Sequence, residues 1–337
     1  MSPIARSAST NVTSLDVARR AGVSQSTVSL VFSGKHGGRV SAATADEVRR
    51  CARELGYRPN VAAQALRLGA SRAVGLIVPD VTNPFFGRVL RGAQGAAREA
   101  GYTVALVDTA NDRRWERSFE ALRAGPVDGY LLFEVSPPEG LGPDANVVLV
   151  ETEAPGRPSV RFDAEGGATA AFRHLVDLGH RRIGHLASAF DAATFVLRDR
   201  ARRRVLADAG IDPAAQPRVT SEFTMHGACV AAGPLLDDPD RPTAVFCDDD
   251  ILAAGLYLAA RERGLRIPDD LSVVGFDDLD VARVLDPPLT TVALDAERLG
   301  ATAFEVLLAR MTGGRARRRT VLGAELVVRG STGPPRG

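Results

Sequence analysis

The densest group of potential metal ligands is "FCDDDIL", where Asp248, Asp249 and Asp250 follow one another. Three carboxylates can hold a divalent cation. At a strand-to-helix turn, however, successive side chains point in different directions, and one acid at a helix start is ordinary capping. The histidines offer less: His36, His174, His180, His185 and His226 are scattered, and only "LGHRRIGHL" brings two of them near one strand. Neither an H-x-x-x-H pair, a G-x-S-x-G turn nor a Walker-type loop accompanies them. His180 and His185 are therefore read as structural, and neither a metal, a cofactor nor an enzymatic activity is expected. Cys51, Cys229 and Cys247 are odd in number and far apart, which points to buried thiols rather than a disulfide framework or zinc site.

Binding chemistry is better marked. In "VTSLDVARRAGVSQSTVSLVFSG", Thr13 or Ser14 can cap a first helix, with Asp16 near the reach of a capping box and Gly22 as its stop. Ser24 caps a second helix, Gln25 to Phe32, in which Val28, Val31 and Phe32 face inward while Gln25, Ser26, Thr27 and Ser29 stay polar. After a glycine-rich loop, Ser41 caps a third helix, Ala42 to Leu55, stopped by Gly56. Two short helices joined by a Gly-containing turn form a helix-turn-helix pattern, whose second helix can enter a DNA major groove.

Charge supports that reading. Across the 337 residues the formal net charge is +1, but residues 1–69 hold ten Lys and Arg against four Asp and Glu, a net +6, which leaves −5 on the remainder. A small basic domain on a slightly acidic body is the electrostatic footprint of nucleic-acid binding. With 45% hydrophobic residues the chain has material for a large core, and the length suggests two to three domains. It lacks a run of about 18 apolar residues that would span a membrane, and Met1 to Val12 lacks a signal-peptide pattern, so a cytoplasmic location is expected.

Beyond Tyr57, "RPNVAAQAL" places Asn60 as the cap of a short helix, Val61 to Leu68. Being shorter than the ~12–15 residues of a marginally stable isolated helix, it needs an external partner to order it. From Ala73, apolar strand candidates alternate with helical stretches: Val74–Val78, Thr103–Val107, Gly129–Phe133, Val147–Val150, Ile183–Leu186, Ala244–Cys247 and Val273–Phe276, separated by helices such as Phe85–Ala100, Gly166–Leu178, Val196–Ala209 and Ile251–Arg263. The pattern predicts an α/β body of two doubly wound parallel sheets. The expected domains are a helix-turn-helix domain at 13–58, a hinge at 59–70 and a body at 71–332. The body divides into a first subdomain (71–162 plus 290–318) and a second (163–289 plus 319–332). Ligands sit at the carboxyl ends of such strands, so polar residues following strands are the candidates for the cleft.

"SLDVARRAGVSQSTVSLVFSG", "RVSAATADEVRRCARELGYRPNVAAQAL", "VGLIVPDVTNPFFGRVLRGAQGAAREAGY", "GLRIPDDLSVVGFDDLDVARVLDPPLTTV" and "ELVVRGST" together resemble the LacI/GalR family of bacterial transcription repressors. The resemblance runs in order from about Thr13 to Thr332 and implies a homodimer on palindromic operator DNA. It also implies a body like that of periplasmic sugar-binding proteins, whose small effector, by family default a sugar or polyol, changes operator affinity. A periplasmic-type solute-binding protein without a transcriptional role is the alternative reading, and the basic N-terminal domain argues against it.

By this resemblance Gln25, Ser26 and Ser29 fall on base and phosphate contacts, Thr27 on a phosphate contact, and Thr13 and Ser24 complete the DNA-binding set. Leu30 stands where many relatives carry Arg. In the hinge, Leu66 falls where the family drives a leucine into the minor groove, with Asn60, Ala63 and Gln64 along the groove floor or backbone. In the body, Asp80, Asn83, Phe85 and Phe86 follow the first strand, with one of the two aromatics for the ligand and the other for the core. Asp249 and Asp277 resemble groups that grip ligand hydroxyls, and Glu151 and Phe162 are further candidates for the cleft lining. Arg198 keeps one arginine of the family's arginine motif, whereas Val196 and Arg202 depart from it; the run Arg198 to Arg204 is read as a solvated helix face.

Overall fold

The structure is a computed structural model that describes residues 12–32, 38–57, 71–109, 115–134, 141–142, 144–190 and 192–336. The chain divides into two compact units, residues 1–71 and 72–337.

Three helices make up the described part of the first unit: α1 (Ser14–Ala21), α2 (Gln25–Phe32) and α3 (Ala42–Glu54). Thr13 closes a full capping box with Asp16, and Gly22 ends α1 at φ 64°, a left-handed conformation that costs glycine little. Ser24 and Ser41 accept from the backbone N–H of Thr27 and Thr44, each at 3.1 Å. Val17, Ala18, Val28, Val31, Ala45, Val48, Cys51 and Ala52 form one small core. Tyr57 adds an edge-to-face contact with Phe32, ring centroids 5.6 Å apart. The expected hinge helix, with Asn60, Ala63, Gln64 and Leu66, lies outside the described residues.

The second unit holds two six-stranded sheets. In the first, β1 (Ala73–Val78), β2 (Thr103–Asp108), β3 (Gly129–Phe133), β4 (Val147–Val150), β5 (Ser159–Phe162) and β11 (Arg319–Leu322) lie in the order β11-β5-β4-β3-β1-β2, all parallel. In the second, β6 (Ile183–Ser188), β7 (Arg218–Ser221), β8 (Ala244–Cys247), β9 (Ser272–Asp277), β10 (Thr290–Ala293) and β12 (Glu325–Val327) run β12-β10-β9-β8-β6-β7, with β12 antiparallel to β10. The main crossover helices are α4 (Pro84–Glu99), α5 (Trp115–Arg123), α6 (Ala164–Asp177), α7 (Ala193–Asp208), α8 (Met225–Asp237), α9 (Asp250–Glu262) and α11 (Ala296–Met311), with the short α10 (Asp280–Val284) after β9.

The sheets share their strands differently from the partition expected near residues 290 and 318. Strand β10 pairs with β9 and belongs to the second sheet, whereas β11 pairs with β5 and belongs to the first. The chain therefore passes between subdomains after β5, after β10 and between β11 and β12. Asp163 and Asp295 stand at two of these passages and cap α6 and α11. Short strands at 159–162 and 319–322 carry too little periodicity to be assigned to a sheet from sequence.

Helices α4 and α11 cross at van der Waals contact through glycine. A Cβ on Gly92 would lie 1.8 Å from the Glu297 carbonyl oxygen, and one on Gly300 1.9 Å from that of Val89. Only a residue without a side chain allows the backbones this close.

Candidate functional site

Two sets of residues qualify, one in each unit. On the helix-turn-helix, Ser24, Gln25 and Ser26 are exposed and Thr27 and Ser29 partly so, leaving the first turn of α2 polar and open. The Ser24 hydroxyl lies 2.7 Å from that of Ser26 and 2.9 Å from that of Thr27, while Gln25 Nε2 donates to Ser14 Oγ at 2.9 Å. That last bond ties α2 to the start of α1. Thr13 is committed to its capping box, with its hydroxyl donating to Asp16 at 2.7 Å.

The second set lies where strand ends of the two sheets converge. Asn83 caps α4 by accepting from the Phe85 N–H at 2.9 Å, and its Nδ2 donates at 3.0 Å to Asp249, which begins α9 in the other subdomain. Nearby, Arg88 on α4 donates to the Asp278 carbonyl at 3.2 Å. Asp249 and Asp277 are 1% and 6% exposed and their carboxyl groups meet. Burial and their mutual repulsion push the Asp249 carboxyl well up, and burial raises Asp277 as well although the Arg198 charge pulls it down.

Arg198 is 5% exposed and centred in this group. Its guanidinium covers the Phe276 ring at 3.6 Å and the Phe195 ring at 5.0 Å, donates to Thr194 at 3.2 Å, and donates to the Asp248 carbonyl. Its buried Nε has no partner among the described residues. Asp80 is spent locally, accepting from the Thr82 N–H and hydroxyl at 2.8 and 2.6 Å. Phe85 is buried against Phe133, and Phe86, partly exposed, packs edge-on against both rings. Of the paired aromatics, Phe86 is thus the one with surface left for a ligand.

The three consecutive acids do diverge. Asp248 meets His185 at 3.0 Å and the Ser188 N–H at 2.9 Å; Asp250 meets the Leu279 N–H at 2.7 Å and the Thr291 hydroxyl at 2.6 Å. Among the described residues no group of three His, Cys, Asp or Glu is arranged to hold a metal ion. His180 is held by Thr243, Ser272 and the Gly333 carbonyl at 2.8, 3.1 and 2.9 Å.

Two expectations need correction. The run Arg198 to Arg204 is a solvated face only in part: Arg200, Arg203 and Arg204 are exposed, whereas Arg198 is buried and Arg202, 4% exposed, is bound to Asp199 and the Pro213 carbonyl. Val196, at 54% exposure, faces solvent as well. Cys51 and Cys247 are buried, but Cys229 is only partly so.

Sequence reasoning also missed several residues. Glu134 follows β3 as Glu151 follows β4, both in the left-handed region at φ 54° and 58°, and Asp277 ends β9 at φ 106°. Non-glycine residues held there cluster at functional sites. Burial pushes the Glu134 carboxyl up to about 7 and the Glu151 carboxyl up to about 8. An acid directly after the apolar run "GYLLF" was the available signal. Phe190, Phe195 and Phe223 form a further aromatic cluster, with Phe223 5.9 and 6.3 Å from the other two, and no periodicity marks them.

Comparison with known proteins agrees with this division. Residues 13–60 match the model of bacterial regulatory proteins of the lacI family, and residues 172–332 match a periplasmic binding protein-like domain. The chain is 34% identical to the HTH-type transcriptional repressor PurR of Photobacterium profundum over 94% of this chain and 97% of that protein. It is 35% identical to the HTH-type transcriptional repressor CytR of Escherichia coli over 97% and 98%. Among solved structures, the lac repressor dimer bound to operator and the anti-inducer ONPF superposes with TM-score 0.82 at 27% identity, covering 96% of this chain and 99% of that one. A helix-turn-helix unit, a two-sheet body and relatives alike over nearly their whole length lead to one conclusion: this chain belongs to the lacI family of bacterial regulatory proteins.

Proposed function

We propose that this chain is a transcriptional repressor that binds a palindromic operator as a homodimer and changes its operator affinity when a small polar metabolite occupies the cleft of the body. The observation that carries the reading is the open first turn of α2, where Ser24, Gln25 and Ser26 are exposed on a helix anchored to α1 by the Gln25–Ser14 bond. A helix N-terminus with exposed hydroxyl and amide groups suits phosphate and base edges, and Gln can bond adenine N6 and N7 in the major groove. Each protomer would place α2 in one of two successive major grooves about one helical turn apart. Leu66, with Asn60, Ala63 and Gln64, is assigned to the minor groove at the operator centre.

The effector site comprises Asn83, Phe86, Arg198, Asp249 and Asp277, with Phe85 behind Phe86 in the core and Asp80 shaping the loop before α4. Carboxylates and a guanidinium bond hydroxyl groups, and aromatic faces take the apolar side of a ring, so a polyhydroxylated ligand fits. Binding there shifts operator affinity only by its differential affinity for the two arrangements of the body. The test is selection of a genomic fragment library on the purified protein at fixed salt. Recovery of a recurring palindrome with half-sites about ten base pairs apart supports the proposal. Salt-sensitive retention without a shared sequence, both alone and when the selection is repeated with candidate corepressors, refutes it.

A further inference from the structure

The amino ends of the first sheet carry a concentration of arginine that the effector cleft does not use. Strands β4, β5 and β11 are neighbours, and Asn146, Pro158 and Arg318 directly precede them, so these residues lie at the end of the sheet opposite the cleft. With Asp144, Arg310 and Ala316 they line an open groove of about 410 Å³. Arg310 stands in the last turn of α11, donates to the Ala145 carbonyl at 3.1 Å, and complements the negative end of that helix. Arg157 donates to the same carbonyl at 3.1 Å and to those of Leu141 and Gly142, both at 2.6 Å. Burial and the charge of Arg310 hold Arg157 below its ordinary pKa against the pull of Asp144, a sign of crowded cations.

The loop from α11 into β11 adds a surplus. Four of the five residues 315–319 are arginine. Arg319 is paired with Glu153 at 2.8 Å, an acid that Arg161 also holds at 2.8 Å. Arg315, Arg317 and Arg318 are exposed and make no hydrogen bond or ion pair among the described residues. Asp144 is the one acid among the residues lining the groove, and Asp128, before β3 at the same end, accepts the Arg72 N–H at 2.9 Å. The body as a whole, residues 70–337, carries −5, so phosphate is repelled unless it meets a locally basic end. Arg72 precedes β1 in the same sheet, four strand spacings or roughly 20 Å from β11. Residues 58–71 join it to Tyr57, and a chain of that length reaches no further than roughly 50 Å. A helix-turn-helix seated on DNA therefore tethers this end of the body within reach of the same duplex, where a second contact is intramolecular and individually weak groups suffice. The unpaired cations stand on an exposed loop beside an open groove, which suits an extended phosphate backbone better than one small enclosed anion.

We propose that Arg315, Arg317 and Arg318, with Arg310, hold the phosphate backbone of DNA flanking the operator, extending the footprint of each protomer beyond its helix-turn-helix. The inference rests on the chain being an operator-binding repressor. Such a contact carries no sequence information; it adds affinity and salt dependence.

The experiment measures fluorescence anisotropy of the full chain over a salt series on two duplexes: the recovered palindrome in about 20 base pairs, ending at its half-sites, and the same palindrome with about 15 base pairs more on each side. The proteins are the wild type, the triple variant Arg315→Ala, Arg317→Ala, Arg318→Ala, and the matching triple lysine variant. The wild type should bind the longer duplex about tenfold or more tighter at about 0.1 M salt, with a log–log salt slope steeper by about 2 or more, at about 0.9 per phosphate neutralised. The alanine variant should lose that advantage and keep wild-type affinity for the short duplex, while the lysine variant retains it, because a point charge suffices for phosphate. Equal wild-type binding of the two duplexes, or an alanine variant that keeps the flank advantage, overturns the inference. So does an alanine variant weakened equally on both duplexes. Inorganic phosphate bound by the wild type and not by the alanine variant in calorimetry, with no effect of the flanks, would assign the groove to a small anion instead. In each of those cases wild-type preference for the palindrome over a scrambled duplex still stands, which separates this failure from failure of the repressor reading.

Discussion

The side-chain amide of Asn83 donates to the carboxylate of Asp249 at 3.0 Å, joining the start of α4 in one subdomain to the start of α9 in the other. The same asparagine caps α4 through its oxygen. One side chain thus serves a local helix end and a long-range bond across the cleft.

Those two roles separate by substitution. Asn83→Ser keeps a capping oxygen but is too short to reach Asp249, whereas Asn83→Ala loses both. The alanine variant should be less stable than the serine variant by roughly 0.5–2 kcal/mol, the worth of a cap, as read from denaturant midpoints. Both should shift the effector concentration at half response equally. If only Asn83→Ala altered the response, the bond across the cleft would have no part in it.

The crossing of α4 and α11 should tolerate no added methyl. Gly92→Ala or Gly300→Ala places a Cβ under 2 Å from a backbone oxygen that has no rotamer to escape into. Either is expected to cost roughly 1–3 kcal/mol or more through forced separation of the helices. Wild-type urea midpoints for these variants would contradict the close approach.

Stability should fall as pH rises from about 4.5 to about 8 through two buried glutamates. Glu134 and Glu151 have folded-state values of about 7 and about 8 against an ordinary 4.5, so between those limits the folded chain holds protons that the unfolded chain has lost. Stability declines through that window and the penalty is complete above it. His174 and His180 act oppositely, because burial lowers both; their contribution is full above about 6.5 and is lost as pH falls below it. Above the histidines' range, the interval from about pH 7 to about pH 8 therefore reports the last part of the glutamate decline, chiefly that of Glu151. The melting temperature should drop across it in the wild type and much less in the Glu134→Gln, Glu151→Gln double variant; equal slopes would exclude the pair as the source.

The helix-turn-helix and the alternation of strands and helices are legible in the sequence because caps and periodicity are local. Thr13, Ser24, Ser41 and Gly22 each act within four residues, and the fully buried strands "GYLLF" and "VVLV" read as apolar runs. Sheet membership of β10 and β11 is not legible, since it depends on pairings with β9 and β5. In the cleft, Asn83, Asp249, Asp277 and Arg198 stand out as polar groups after strands or as a surviving arginine. Glu134 does not, because its importance comes from the register of β3 with β4. The burial of Arg202 is equally hidden, because a charge run gives no sign of the Asp199 and Pro213 partners that enclose it.

The most direct test of sequence-specific DNA recognition by α2 is fluorescence anisotropy of the wild type and Gln25→Ala on the recovered palindrome and on a scrambled duplex, over a salt series. The expected result is a wild-type preference for the palindrome of about a thousandfold or more. Gln25→Ala should lose about 1–3 kcal/mol per half-site and relax discrimination at one symmetric base position, with the salt slope unchanged. Equal affinity of the wild type for both duplexes, or a Gln25→Ala variant as selective as the wild type, would contradict recognition by α2.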